Sequence, residues 1–148
     1  MTAGLPIDRT ADFGADILAN GTDTPARLRL TRNGAAFGSV LNGAELVAVY
    51  ALAGGDLLVF THEGVVFEES AHIHWLDGTG VEQGRAHVGM IYATGHLHDL
   101  APAGPRTMTF RFFAKERWRV EARPARGWRR LWSLIGGPPS LHLTVISK

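Results

Sequence analysis

Residues 65–94, VVFEESAHIHWLDGTGVEQGRAHVGMIYAT, form the stretch of sequence that decides the fold. Polar and apolar side chains alternate along it on both sides of residues 77–80, Asp-Gly-Thr-Gly, which are all turn-forming residues. Alternation with a period of two is typical of a β-strand that has one buried face. The sequence therefore predicts a long β-hairpin here, with its turn over 77–80.

The register of this hairpin determines which side chains share its polar face. With the turn over 77–80, His72 faces Arg85 and His74 faces Gln83. A two-residue turn shifts this pairing by two positions and leaves every side chain on the same face, because side chains alternate with a period of two. The predicted polar face comprises Glu68, Ser70, His72, His74, Arg85 and His87, and the apolar face comprises Phe67, Ala71, Ile73, Trp75, Ala86, Val88 and Met90.

The rest of the chain consists mainly of short alternating segments separated by turn signals. Asn-Gly pairs at 33–34 and 42–43 indicate two hairpin turns. Helical spacing favours a short helix near 10–17, with Thr10 as its cap, and a basic helix over 126–135. Further strands are predicted over 26–32, 35–41, 45–52, 57–61, 107–113, 118–122 and 141–147.

The predicted elements favour an all-β fold for residues 1–148 as a single domain. Eight or nine strands, each joined to its neighbour, make an antiparallel up-and-down meander. A meander protects its exposed edges most simply by closing, so we predict a β-barrel of lipocalin-like architecture or a strongly curved sheet. A β-sandwich is the alternative. The strand 45–52 is apolar on both faces, Leu46 and Tyr50 on one and Val47 and Val49 on the other, and therefore needs a second layer: the opposite barrel wall, a helix or another subunit.

Composition narrows the class of protein. The chain contains no cysteine, which excludes disulfides and thiolate metal sites and fits a reducing cytosol, so we expect a cytoplasmic protein. No apolar run is long enough to predict a membrane span.

Charge is distributed unevenly along the chain. Residues 1–100 hold five basic and twelve acidic side chains, a net charge of −7, whereas residues 101–148 hold ten and two, a net charge of +8. We expect the basic strands to lie across the acidic ones and neutralise them; binding of an anionic partner is the alternative. No nucleic-acid-binding motif accompanies the basic residues, so nucleic acid is not an expected partner. The basic helix 126–135 is interpreted as part of the core rather than as a partner-binding surface.

Three imidazoles on the predicted polar face suggest a metal site. His72, His74 and His87, with Glu68 nearby, provide the donor atoms that zinc or another divalent metal prefers. Residues 72–75, His-Ile-His-Trp, resemble the zinc-binding strand of α-type carbonic anhydrases, and the resemblance covers these four residues. A solvated polar face is the alternative interpretation.

A barrel would give the same polar face another role. If it lines the interior, His72, His74, His87, Arg85 and Glu68, with Tyr50 from a neighbouring strand, would orient a small molecule. The leading expectation is a module that binds a small, partly apolar ligand. The first alternative is a small metal-dependent or acid–base enzyme, with His72 or His74 as the base and Arg85 as the oxyanion partner. The second is an oligomeric structural or interaction protein without a pocket.

Overall fold

The computed structural model describes residues 4–19, 24–63, 70–89, 97–112, 116–124 and 140–147. These ranges contain twelve strands and one turn of 3-10 helix, which confirms the prediction of an all-β protein. The prediction of a helix near 10–17 is wrong beyond the 3-10 turn Thr10–Asp12, because Phe13–Ala19 is a strand. The predicted basic helix 126–135 lies outside the described residues. Within them, no helix is long and apolar enough to cross a bilayer.

The strands form three antiparallel sheets. They are β1 (Ile7–Asp8), β2 (Phe13–Ala19), β3 (Arg27–Arg32), β4 (Ala35–Asn42), β5 (Glu45–Ala51), β6 (Leu57–His62), β7 (Ser70–Leu76), β8 (Glu82–Gly89), β9 (His98–Gly104), β10 (Thr107–Arg111), β11 (Arg117–Arg123) and β12 (Ser140–Ser147). The five-stranded sheet has the order β1-β5-β6-β7-β8, the four-stranded sheet β12-β11-β10-β9, and the three-stranded sheet β2-β3-β4. None of these sheets closes within the described residues, so the predicted barrel and the single meander are wrong.

The meander breaks at the second Asn-Gly pair. Asn33 and Gly34 form the predicted hairpin turn between β3 and β4. Asn42 and Gly43, by contrast, carry the chain from the three-stranded sheet to the five-stranded sheet. The Ala44 N–H donates to the His62 carbonyl at 2.7 Å, which starts β5 beside β6 rather than beside β4. A turn signal therefore shows that the chain reverses, but not which strand it pairs with afterwards.

The five-stranded sheet is the central layer, with a core on each face. Against the four-stranded sheet it packs a core that includes Phe60, Ile73 and Phe110. Against the three-stranded sheet it packs a second core that includes Leu28 and Val59. Because buried side chains fill the space between facing sheets on both sides, the packing is that of a three-layered sandwich.

Strand β5 illustrates why two layers are needed. Leu46 and Val49 face the second core, whereas Val47 and Tyr50 face the first. Regular alternation would place Leu46 with Tyr50, but a bulge between Leu46 and Ala48 shifts the pairing with β6 by one residue. Both faces of β5 are thus covered by sheets of its own chain. These sheets are the additional layers that the apolar character of β5 requires.

Arg106 holds two of the layers together. Its guanidinium donates to the Ala122 carbonyl at 3.0 Å, the Ala53 carbonyl at 3.1 Å and the Asp56 carboxylate at 3.1 Å. The same carboxylate accepts the Trp75 indole N–H at 3.0 Å, and the guanidinium lies 5.4 Å from the centre of the Trp75 ring. Charge-assisted hydrogen bonds of this kind position the four-stranded sheet on the central one.

Candidate functional site

The histidines of the predicted hairpin lie on the face of the central sheet that points toward the three-stranded sheet. Strands β7 and β8 pair so that His72 is opposite His87 and His74 is opposite Arg85. The prediction that these four residues share one face is confirmed. The predicted pairing of His72 with Arg85 is wrong by two positions, because the turn spans residues 77–81 and a bulge follows it. We call His72, His74, Arg85 and His87 the histidine stripe.

The side chains of the histidine stripe are more exposed on β8 than on β7. The His74 side chain is 1% exposed and that of His72 is 12% exposed, whereas His87 is an exposed residue and the Arg85 side chain is 64% exposed. The neighbouring strand β6 places buried Val59 beside His74 and buried Thr61 beside His72. The stripe therefore runs from the second core to the protein surface.

His74, at the buried end, has a polar partner for each ring nitrogen. Its Nδ1 lies 2.5 Å from a Glu82 carboxylate oxygen and its Nε2 lies 3.3 Å from the Asn42 carbonyl oxygen. A carbonyl and an ionised carboxylate can only accept hydrogen bonds, so each of these contacts suits a ring nitrogen that carries a hydrogen. Arg85 donates to the other Glu82 oxygen at 2.9 Å. Burial alone would raise the pKa of Glu82, but the hydrogen bond from His74 and the charges of His74 and Arg85 outweigh it and lower the pKa.

Glu82 was missed in the sequence because strict alternation places it on the face opposite Arg85. The bulge between Trp75 and Leu76 pairs Leu76 with Glu82 instead and turns this carboxylate toward His74. Bulges commonly redirect a side chain in this way. The sequence does contain a signal for this bulge. Gly84 is an isolated glycine inside a strand pattern, and such a glycine indicates a bulge.

His72 has a carboxylate partner of its own. Its Nε2 lies 2.5 Å from a carboxylate oxygen of Glu63, which directly follows β6. The His72 ring centre is 5.0 Å from that of His87 and 6.2 Å from that of His74. Burial lowers the pKa of His72; Glu63 opposes this shift, and the charges of His87 and His74 add to it. At neutral pH His72 is therefore a neutral imidazole that donates from Nε2 and keeps a lone pair on Nδ1.

We expect His72 to make folding stability depend on pH. Because its pKa is lowered from 6.5 in the folded state, its contribution is fully present above pH 6.5 and is lost as the pH falls from 6.5 through the lower, folded-state pKa. Urea unfolding between pH 5 and 8 should show a shallower decline for His72→Gln than for the wild type. Ser70→Ala, a change on the same face without an ionisable group, should keep the wild-type slope. Equal slopes for all three proteins would refute the assignment.

The structure does not bring every predicted site residue together. Tyr50 lies on the opposite face of the central sheet, where its ring packs against Phe60, and Glu68 lies outside the described residues. Over the ranges that are described, no group of three or more His, Asp or Glu side chains is arranged to hold a metal ion. The zinc site predicted at His72, His74 and His87 therefore gains no support and stays a prediction.

The outer end of the stripe is where a ligand can be reached. Arg85 and His87 are exposed there, with the His87 ring centre 5.0 Å from that of His72, and they contribute donors that face solvent. Two surface depressions lie elsewhere. One of about 570 Å³ is beside residues 11–14 and 31–34, and one of about 480 Å³ is beside residues 105–107 and 121–124.

Comparisons with protein-family models, curated proteins and solved structures find no match for this chain.

Proposed function

We propose that the protein is a binding module for a small, partly apolar molecule with an anionic group, and that the outer end of the histidine stripe is its site. The observation that carries the proposal is the pairing of His72 with His87 across adjacent strands, with Arg85 two residues along on the same face. The ligand would lie on the sheet surface, since none of the sheets formed by the described residues closes around an interior. The absence of cysteine suits a reducing compartment, and we propose the cytoplasm.

The exposed hydrogen-bond donors at this site suit an anionic group. Within the described residues, two carboxylates contact the stripe and both are already engaged, Glu63 with His72 and Glu82 with both His74 and Arg85. Arg85 uses one nitrogen for Glu82, and a guanidinium has five N–H donors. The remaining donors and the exposed imidazole of His87 are therefore available to a carboxylate or phosphate group.

The proposal is tested by titrating the protein with benzoate, which combines an anionic group with an apolar ring. We expect saturable binding by calorimetry, with the imidazole NMR signals of His72 and His87 shifting together. Arg85→Gln should weaken binding about tenfold, the value of one hydrogen bond to a charged group. Arg32→Gln, which removes an equally charged residue far from the stripe, is the matched control and should leave the affinity unchanged. Unchanged imidazole signals at saturating benzoate would exclude the site.

The Glu63–His72 pair favours acid–base catalysis as a second candidate function. A carboxylate that holds one imidazole nitrogen orients the other as a general base, and the lowered pKa of His72 keeps that base unprotonated at neutral pH. Hydrolysis of p-nitrophenyl acetate is a suitable probe reaction. We expect His72→Gln and Glu63→Gln to reduce the rate to background and Arg32→Gln to leave it unchanged. If the wild type is no faster than His72→Gln, this candidate is excluded.

A further inference from the structure

The four-stranded sheet has an outward face that is rich in hydrogen-bond donors. Its inward side chains, among them Val120 and Ala122, belong to the first core. Alternation places the remaining side chains of β11 and β12 on the other side, and they are at least partly exposed. We call this surface the outer face; it consists of Arg117, Arg119, Glu121 and Arg123 on β11 and of Ser140, His142 and Thr144 on β12.

The outer face carries excess positive charge. Arg119 and Arg123 share one carboxylate, that of Glu121, at 3.9 and 2.5 Å. The hydrogen bond from Arg123 and the charges of Arg123, Arg119 and His142 lower the pKa of Glu121 despite its partial burial, so the carboxylate is ionised. Three arginines against one carboxylate leave a net charge of +2 with His142 neutral.

The acidic part of the chain does not neutralise this surface in the described ranges. There, the ion pairs between residues 101–148 and residues 1–100 are Arg106 with Asp56 and Arg111 with Asp99. Neither arginine belongs to the outer face. These two ion pairs therefore leave the positive charge of the outer face in place.

Three polar side chains converge at one end of the outer face. Arg123 is directly opposite Ser140 in the β11–β12 ladder. The Nε2 of His142 lies 2.9 Å from the Ser140 hydroxyl oxygen and 3.4 Å from Arg123 Nη1. This end of the strand also borders the depression of about 480 Å³, whose polar lining consists of Arg106, Thr107, Glu121 and Arg123.

We propose that Arg123, His142 and Ser140 bind the phosphate group of a small phosphorylated molecule or free phosphate. Arg123 presents a planar fork of N–H donors that matches phosphate oxygens, and the Ser140 hydroxyl donates from beside it. A phosphate dianion next to His142 favours the imidazolium form, in which Nε2 becomes a third donor. This site is on a different sheet from the histidine stripe and does not depend on the function proposed there.

The surface fits a phosphate group better than a nucleic-acid strand. Proteins that bind single strands combine positive charge with aromatic side chains on which the bases stack. The described members of the outer face include no Phe, Tyr or Trp, and Trp118 packs on the inward side against the first core. The outer face thus provides phosphate contacts without a stacking surface.

The test is a calorimetric titration with inorganic phosphate and, separately, phenyl phosphate, which tells free phosphate from an organic monoester. We expect saturable binding of at least one of them, and Arg123→Gln should weaken it about tenfold, the value of one charge-assisted hydrogen bond. Ser140→Ala should weaken it by about threefold, as for a neutral hydrogen bond. Arg117→Gln removes the same charge farther along the same strand and should leave the affinity within about twofold, as expected for a surface charge outside the site.

Two outcomes would overturn the proposal. If Arg117→Gln and Arg123→Gln weaken binding equally, the attraction is a diffuse effect of charge and no discrete site exists. If a single-stranded oligonucleotide binds more tightly than either phosphate, the surface is a nucleic-acid interface instead. The imidazole NMR signals recorded in the same titrations separate the two sites, because phosphate at the outer face shifts the signal of His142, whereas phosphate that binds only at the histidine stripe shifts that of His87 and would also overturn the proposal.

Discussion

Replacing Glu82 with alanine is expected to lower the free energy of unfolding by about 1–3 kcal/mol, the usual cost of leaving a buried polar group without its hydrogen-bond partner. The remaining His74 is only 1% exposed, and its Nδ1 would lose the carboxylate that it contacts at 2.5 Å. Urea unfolding followed by circular dichroism measures the difference.

The matched control is Glu45→Ala. Glu45 also faces a histidine, His62, but at 4.0 Å and with a side chain that is 70% exposed, so its loss should cost less than about 1 kcal/mol. The double variant His74→Leu, Glu82→Leu removes both partners and should recover much of the lost stability. A cost for Glu82→Ala as small as that for Glu45→Ala would show that the contact between Glu82 and His74 does not stabilise the fold.

Gly38→Ala is expected to destabilise the protein by about 3 kcal/mol or more, through a left-handed backbone and a backbone clash together. Gly38 has φ +77°, and a β-carbon there would lie 2.4 Å from the Gly80 carbonyl oxygen. At this point β4 contacts the β7–β8 turn: the Ser39 N–H donates to the Gly80 carbonyl at 2.9 Å, and the Ser39 hydroxyl accepts from the Glu82 N–H at 3.1 Å. An alanine would force apart the contact that positions Glu82.

Gly34→Ala separates these two causes. Gly34 has φ +79°, nearly the same as Gly38, but a β-carbon there would meet nothing within 4 Å. Its replacement should therefore cost only the left-handed conformation, about 1–2 kcal/mol. Thermal and urea unfolding of both variants measures the difference. If the two glycines prove equally costly to replace, the close approach of β4 to the β7–β8 turn is incorrect.

Much of the local structure was predictable because it depends on neighbouring residues. Alternation of Leu28 and Leu30 with arginines predicted β3, and the Asn33-Gly34 pair predicted the turn after it. The same alternation placed His72 and His74 together on one face of β7. Each of these features follows from a period of two or from a turn conformation, and both are local properties of the chain.

The predictions that are wrong, the helix near 10–17 and the barrel, have the same physical cause. Both depend on contacts between segments that are distant in the chain. Phe13 and Ile17 have helical spacing, yet Phe13–Ala19 is a strand because β3 provides it with an antiparallel partner. The predicted barrel failed because the chain leaves the three-stranded sheet at Asn42, and no local signal distinguishes such a crossing from a hairpin turn. Pairing with a strand elsewhere overrides the preference of a short segment.

The sequence by itself determined the all-β class, the absence of thiol chemistry and the set of side chains that share a face of the β7–β8 hairpin. The tertiary structure alone decided that His74 is buried against Glu82, that Glu63 reaches His72, and that Tyr50 lies on the other side of the central sheet. The physical reason is the distance along the chain over which the interactions act. Strand alternation is set within a few residues, whereas burial and charge pairing depend on layers that pack on the hairpin and come from distant parts of the chain.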